Sequence, residues 1–84
     1  MKVSFTPNAL ADLRWWIRND RKLADRTLAL VEEARRTPFA GTGKPEPLKF
    51  QLSGCWSRRI DREHRLVYQV AEDELVVLGC RFHY

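Results

Sequence analysis

Residues 55–82, CWSRRIDREHRLVYQVAEDELVVLGCRF, decide the fold class of this chain. Three segments of this stretch have the apolar spacing of β-strands: residues 56–60, 65–70 and 75–82. The joints between them, residues 61–64 and 71–74, are so short that successive strands must run antiparallel. The third segment is apolar at both odd and even positions, which is typical of a strand inside a sheet.

The residues upstream of this stretch predict two more strands and a long loop. Residues 48–52 have strand-like spacing and are separated from the next strand by Ser53 and Gly54. Residues 38–47 are rich in proline and glycine, which predicts a loop. At the start of the chain, residues 2–5 alternate between polar and apolar side chains, which predicts a short first strand.

Two helices are predicted between the first strand and the loop. Thr6 and Pro7 are residue types preferred at the N-cap and first position of a helix, and Asp20 is suited to cap a second helix. The two apolar stripes comprise Ala9, Leu10, Leu13, Trp16 and Ile17, and then Leu23, Thr27, Leu30, Val31 and Ala34. The second helix should end at Thr37, because the residue before Pro38 avoids helical backbone. The element order predicts an α+β fold, with a helical hairpin on one face of a small, mainly antiparallel sheet.

Composition indicates one small globular domain spanning residues 1–84. Hydrophobic residues make up 44% of the chain and charged residues 31%, which is ordinary for a globular protein. The formal net charge of +4 attracts polyanions, although charge alone fits an ordinary basic protein equally well. There is no apolar run of the ~20 residues that a transmembrane helix needs, so we expect a cytoplasmic protein without membrane contacts. Cys55 and Cys80 lack metal-site spacing, and they fit buried free thiols better than a disulfide, because nothing in the sequence indicates secretion.

The second half of the chain holds the residue types that cleave RNA. The reaction needs a base for the 2′-hydroxyl, cations for the charge on phosphorus and an acid for the departing 5′-oxygen. RNA supplies its own nucleophile, so a carboxylate, guanidinium groups and an imidazole suffice without metal or cofactor. The candidates are Glu46, Lys49, Arg58, Arg59, Arg62, His64, Arg65, Arg81, His83 and Tyr84.

Strand parity tests whether these residues can meet. If Ile60 pairs near Leu66, then Arg59 and Arg65 share one sheet face, where two like charges favour a bound phosphate. Glu46 and Lys49 differ in parity and reach one site only if Pro47 interrupts the strand. The face of His83 depends on the 71–74 turn: a four-residue loop places it opposite Arg65, and a three-residue loop places it on the same face. The sequence leaves that choice open.

Each candidate also has an ordinary structural explanation. Glu46 is compatible with an exposed loop acid, His83 with a solvated chain end and His64 with a surface turn. Arg58 and Arg59 are compatible with a solvated edge that prevents aggregation. Among the aromatic residues, Trp56 and Tyr68 fit the core. Trp15 lies off the apolar stripe, so it either binds a partner or covers the helix pair.

Six segments together resemble the Txe/YoeB toxins of the RelE superfamily. They are residues 36–39 (RTPF), 43–49 (GKPEPLK), 52–54 (LSG), 56–60 (WSRRI), 63–68 (EHRLVY) and 80–84 (CRFHY). The resemblance runs from the first strand to the last residue, and the combination is far more specific than any one segment. Cys55 and Phe82 depart from the common pattern, where larger aromatics and tyrosine respectively are frequent, but neither position carries proton chemistry.

The resemblance implies a microbial-RNase-like fold and a ribosome-dependent endoribonuclease. Such a toxin cleaves messenger RNA in the ribosomal A site and leaves a 2′,3′-cyclic phosphate and a 5′-hydroxyl. It also implies a cognate antitoxin whose C-terminal segment wraps and inhibits the toxin, and it raises the prospect of a homodimer. Two other functions fit the same residues: an inactive module that only binds RNA or antitoxin, and a nuclease that works without the ribosome.

The resemblance also assigns roles to individual residues. Glu46 resembles the general base, His83 the general acid and Arg65 the main stabiliser of the phosphorane. Lys49 and Arg59 are expected to assist, and Tyr84 to orient the RNA. The cations expected to contact RNA or the ribosome are Lys44, Arg58, Arg62 and Arg81.

Overall fold

The computed structural model describes residues 1–82, with Phe82 described by its backbone only. The elements in chain order are β1 (Lys2–Phe5), α1 (Pro7–Asn19), α2 (Arg21–Arg36), β2 (Glu46–Pro47), a 3-10 turn (Phe50–Leu52), β3 (Cys55–Arg59), β4 (Arg65–Ala71) and β5 (Glu74–Phe82). Within the described part of the chain, no helix is long and apolar enough to cross a membrane.

The predicted helix ends are confirmed by their capping hydrogen bonds. The Thr6 hydroxyl accepts a hydrogen bond from the Ala9 N–H at 3.1 Å, with Pro7 at the first helical position. The Asp20 carboxylate accepts one from the Leu23 N–H at 3.1 Å. Helix α2 ends with Thr37 as its C-cap, one residue before a proline. The short polar side chains of the two N-cap residues, Thr6 and Asp20, pair with N–H groups of the first helical turn that have no partner within the helix.

The predicted α+β architecture is confirmed. The five strands form one sheet in the order β1-β5-β4-β3-β2, with β1 parallel to β5 and the other pairs antiparallel. Strand β5 lies inside the sheet, as its doubly apolar pattern predicted. Both helices pack on one face, where the buried cluster joins Trp16, Leu30 and Tyr68. In the part of the chain that the structure describes, the opposite face of the sheet carries no helix, so polar side chains there remain available for chemistry.

One of the two predicted apolar stripes is narrower than expected. In α2 the predicted stripe is buried, apart from a half-buried Leu23. In α1, Ala9 and Trp16 are buried, whereas Leu10 and Ile17 are 51% and 42% exposed. Each exposed residue directly follows a buried one and is therefore rotated by ~100° around the helix, away from the sheet. Including Leu10 and Ile17 in the core was wrong.

The predicted strand at residues 48–52 was also wrong. The strand here is only Glu46–Pro47, and the chain then forms a 3-10 turn. Proline has no N–H for the strand ladder, and Phe50 adopts a φ of 58°, in the left-handed region that strands exclude. The ladder is continued only by the Leu48 N–H, which donates to the Cys55 carbonyl at 2.9 Å.

The two cysteines are buried free thiols on different strands. Burial, with a smaller effect from the Asp12 carboxylate, raises the pKa of the Cys80 thiol to about 12. Cys80 is therefore an unreactive core residue at neutral pH, because the thiolate is the nucleophilic form.

Candidate active site

A glutamate and an arginine meet on the helix-free face of the sheet. Glu46 lies opposite Ser57 in the β2–β3 pair. Arg65 donates from Nη1 to Glu46 Oε1 at 2.9 Å and to the Ser57 hydroxyl at 3.3 Å. The Arg65 side chain is 18% exposed and the Glu46 side chain 54%, so the pair is open to solvent on the glutamate side. A ligand approaching this face therefore meets the carboxylate and the guanidinium together.

A second guanidinium belongs to the same face. Arg59 on β3 lies directly opposite Arg65 on β4, so the predicted sharing of one face is confirmed. The register differs by two residues from the one assumed, because Arg58 and not Ile60 lies opposite Leu66. A shift of two leaves every side chain on its predicted face. Two cations side by side, with one carboxylate, favour binding of a further anion.

The end of β5 lies next to Arg65, on the edge of β4 that faces away from β3. The backbone of Phe82 lies opposite Arg65 in the β4–β5 pair. The β4–β5 turn has only two residues between Ala71 and Glu74, and two register shifts follow along the pair. Neither of the two loop lengths considered from sequence therefore occurs. His83 and Tyr84, the proposed acid and the proposed orienting residue, lie outside the described residues.

The other predicted cations of this region lie on exposed loops. Lys44 is in the loop before β2, and Lys49 is the N-cap of the 3-10 turn after it. Because β2 ends at Pro47, strand parity no longer separates Lys49 from Glu46. Arg62 is exposed in the turn between β3 and β4.

Arg58 is fully buried on the helix side of the sheet, which overturns its predicted contact with RNA. Its partner across β4 is Leu66, a core residue, so parity turns its side chain away from Arg59 and Arg65. Its five N–H donors meet five acceptors, which are the Tyr68 hydroxyl (3.0 Å), Glu33 Oε2 (2.7 Å) and the carbonyls of Thr42 (3.1 Å), Ala40 (2.8 Å) and Thr37. No donor is left for a phosphate.

Arg58 fixes the loop that leads to Glu46. Three of its acceptors are carbonyls in residues 37–42, and the next residue, Gly43, accepts a hydrogen bond from the Arg59 N–H at 2.7 Å. A Cβ on Gly43 would lie 3.1 Å from the Arg58 Cβ and 3.2 Å from the Arg59 carbonyl, and its φ of +86° favours glycine. The loop is thereby held against β3 three residues before Glu46.

Replacement of Arg58 by methionine is expected to destabilise the fold by about 3 kcal/mol, because carbonyls that the guanidinium satisfies would lose their partner. Urea unfolding measures the loss. Arg59→Met is the matched control: it removes an exposed arginine from the next position and should change stability by less than about 0.5 kcal/mol. Equal effects of the two substitutions would contradict the structural role assigned to Arg58.

Glu33 makes stability depend on acid pH. The Thr42 backbone N–H, followed by the Thr42 hydroxyl and the Arg58 guanidinium, holds the pKa of the Glu33 carboxyl below its usual value of 4.5. The folded state therefore favours the ionised form, and this stabilisation is complete above about pH 4.5 and is lost as the pH falls through the lowered pKa.

Glu33→Gln should therefore lower the urea midpoint at pH 7, and the difference from the unmodified protein should shrink as the pH falls below the usual carboxyl value of 4.5. Glu63→Gln is a suitable comparison, because Glu63 is exposed in the turn between β3 and β4. A Glu33→Gln difference that stays constant across this pH range would contradict the assigned titration.

Arg81 and His64 lie with the helices and not with Glu46. The Arg81 guanidinium stacks over the Trp15 ring of α1, 3.7 Å from its centroid. The His64 ring packs edge-on against Trp16, and its Nδ1 lies 3.0 Å from Asp61. Trp56 and Tyr68 pack in or against the core, as predicted. Within residues 1–82, no hydrogen bond or ion pair joins Arg81 or His64 to Glu46.

Ser57 is a site residue that sequence reasoning missed. It is fully buried, pairs with Glu46 across the sheet and accepts a hydrogen bond from Arg65. The signal was present in strand parity, because Ser57 lies two residues before Arg59 and must share its face.

This chain is similar to solved structures of bacterial toxins. A YoeB/ParE toxin from Agrobacterium tumefaciens is 48% identical and superposes with a TM-score of 0.95, with 100% of both chains covered. The YoeB toxin of Staphylococcus aureus has been solved as a dimer (38% identity, TM-score 0.91) and as a complex with YefM (36% identity, TM-score 0.89). Both comparisons cover 100% of this chain and 98% of the S. aureus chain.

The sequence comparisons define the family. The model of the YoeB-like toxin of bacterial type II toxin–antitoxin systems matches residues 5–84. Toxin YoeB of Synechocystis sp. is 52% identical over 84 residues, which cover 100% of this chain and 98% of the relative. The chain therefore belongs to the YoeB family of type II toxins, as its motifs indicated.

Proposed function

We propose that this toxin is a ribosome-dependent endoribonuclease that cleaves messenger RNA without a metal ion. The observation that carries the proposal is the Glu46–Arg65 pair with Arg59 beside it on the helix-free face. Phosphate binding alone requires only cations, whereas this site adds a carboxylate 2.9 Å from the guanidinium. The added carboxylate favours proton transfer over binding alone.

Each side chain has a role in this mechanism. When Arg65 and Arg59 bind the scissile phosphate, the phosphate competes with Glu46 for the Arg65 guanidinium. Glu46 then takes the proton of the 2′-hydroxyl as this hydroxyl attacks phosphorus. The guanidinium groups stabilise the negative charge that develops on the phosphorane oxygens. Lys49, on the turn after β2, adds positive charge. The products are a 2′,3′-cyclic phosphate and a 5′-hydroxyl.

His83 is the proposed acid for the 5′-oxygen, and Tyr84 is proposed to orient the RNA. The support is proximity along the chain, because His83 directly follows Phe82, whose backbone lies opposite Arg65 at the end of β5. Side chains alternate between faces along a strand, so the proposal requires the strand geometry to end at Phe82. A chain truncated after Phe82 should keep its fold and lose cleavage. Full activity of the truncated chain would rule out His83 as the acid.

The proposed partners are the translating ribosome and an inhibitory antitoxin. The S. aureus relative is described as a complex with YefM, and we propose that this chain is likewise inhibited by a cognate antitoxin whose C-terminal segment wraps it. That relative is also described as a dimer, and we propose that this chain can form a homodimer as well. Messenger RNA and ribosomes imply action in the cytoplasm.

The decisive comparison is between naked and translating message at equal RNA concentration. Strong cleavage of translating message and weak cleavage of naked RNA is the expected result. Equal cleavage of both would indicate a nuclease that grips RNA by itself. If neither substrate is cut while both bind, the protein is a binding module and the catalytic proposal fails.

A further inference from the structure

We propose that a groove on α1, on the side of the sheet opposite Glu46 and Arg65, binds the phosphate backbone of ribosomal RNA. This proposal rests on the ribosome dependence proposed above and adds the surface that provides it. The groove has a volume of about 270 Å³ and is called here the Trp15 groove. Its lining residues are Ala11, Arg14, Trp15, Arg18 and Asn19.

The charge of the Trp15 groove fits a polyanion. Arg14 and Arg18 are exposed and four residues apart, so they lie on one face of α1. Trp15 lies between them in the sequence, and the Arg81 guanidinium stacks over its ring. Among residues 1–82, none of these three arginines has a carboxylate partner. The one acidic residue of α1, Asp12, is engaged with the Cys80 N–H at 3.0 Å. Two guanidinium groups that line the groove, with a third stacked on its Trp15 ring, favour binding of several phosphates.

The groove is rigid, because α1, which supplies all of its lining residues, is tied to β5 in the core. The Trp16 indole donates to the Cys80 carbonyl at 2.8 Å, and Asp12 accepts from the same residue's N–H. Trp15 packs edge-on against Trp16, with 5.2 Å between the ring centroids. Arg81, which directly follows Cys80, is thereby held against a fixed aromatic face. A preorganised cation loses little conformational entropy when it binds a phosphate.

The Arg81 side chain has a buried N–H group whose hydrogen bonding is unsatisfied. Its Nε is buried and has no hydrogen-bond partner among the described residues. Buried N–H groups are paired in the great majority of cases, so such an atom calls for an explanation. A phosphate held by the outer nitrogens of the same guanidinium would supply the compensating negative charge.

The position of the groove selects the RNA that fills it. Arg65 and Arg59 point away from the helices, whereas the groove lies on a helix. A message whose scissile phosphate sits at Arg65 would have to pass around the sheet to reach Arg14 and Arg18. A second, separate RNA segment reaches both without this detour, and a structured ribosomal RNA surrounding the toxin provides one.

The test uses the full-length protein, empty ribosomes and a short single-stranded RNA as probes. Equilibrium binding is measured over a KCl series for the unmodified protein, for Arg14→Gln/Arg18→Gln and for the control Lys22→Gln/Arg36→Gln. The control removes the same charge from exposed positions of α2. The groove variant should bind ribosomes about tenfold more weakly or worse at low salt, and the slope of log K against log salt should fall by about two. The control should bind like the unmodified protein.

Three results would overturn the proposal. The first is unchanged ribosome affinity and salt slope in the groove variant. The second is an equal loss on the single-stranded RNA, which would assign the groove to the message. The third is a loss confined to the antitoxin complex, which would assign it to a protein. Cleavage assayed in parallel separates the two proposals: groove-dependent ribosome binding without any cleavage supports the groove and defeats the nuclease.

Discussion

Glu46→Gln is expected to lower single-turnover cleavage of translating message by roughly 10²–10⁴-fold, the usual contribution of a general acid–base group. Glutamine keeps the size of the side chain and can still accept a hydrogen bond from Arg65, but it cannot take a proton from the 2′-hydroxyl. The measurement is a rapid-quench time course with toxin in excess over ribosomes, so that product release does not limit the rate.

The control for Glu46→Gln is that the variant protein remains folded and binds antitoxin. The Glu46 side chain is 54% exposed, so urea unfolding and antitoxin binding should remain close to those of the unmodified protein. Retention of full cleavage by a folded Glu46→Gln protein would exclude this carboxylate as the base. Growth arrest in cells provides a second readout and should disappear with the activity.

Arg65→Gln is expected to lower the cleavage rate at least as much, roughly 10³-fold or more, because electrostatic stabilisation of the transition state usually contributes more to catalysis than any other effect. Arg65 bridges Glu46 and Ser57 and lies opposite Arg59, so it is the cation best placed to contact the phosphate and the base together. The same rapid-quench assay measures the loss.

Arg65→Lys separates charge from geometry. Lysine retains one positive charge but lacks the planar fork that binds two phosphate oxygens, so it should recover only part of the rate. Lys22→Gln, which removes a distant exposed cation, should leave the rate near that of the unmodified protein. If Arg65→Gln and Lys22→Gln behaved alike, Arg65 would have no part in the chemistry.

Local rules predicted much of the fold and part of the site. The helix caps at Thr6 and Asp20 depend on neighbouring residues only, and both were correct. The shared face of Arg59 and Arg65 followed from alternation along two strands joined by a tight turn, and a register error of two residues did not affect it. Such features are insensitive to the rest of the structure.

The misses arose where tertiary contacts decide. Arg58 was assigned to RNA because of its charge, although the parity that placed Arg59 on the open face places Arg58 in the core. Its burial depends on five acceptors, and four of them belong to α2 and the following loop. The two register shifts that bring Phe82 opposite Arg65 have no sequence signal comparable to a turn motif.

The claim that RNA supplies the nucleophile is tested most directly by removing that nucleophile. A message with a single 2′-deoxyribose at the cleavage position, translated to the same codon, should be bound normally and remain uncut at that linkage. The matched all-ribose message should be cut there and end in a 2′,3′-cyclic phosphate. Cleavage of the deoxy linkage would show that another nucleophile attacks phosphorus, and would contradict the role of Glu46 as the base for the 2′-hydroxyl.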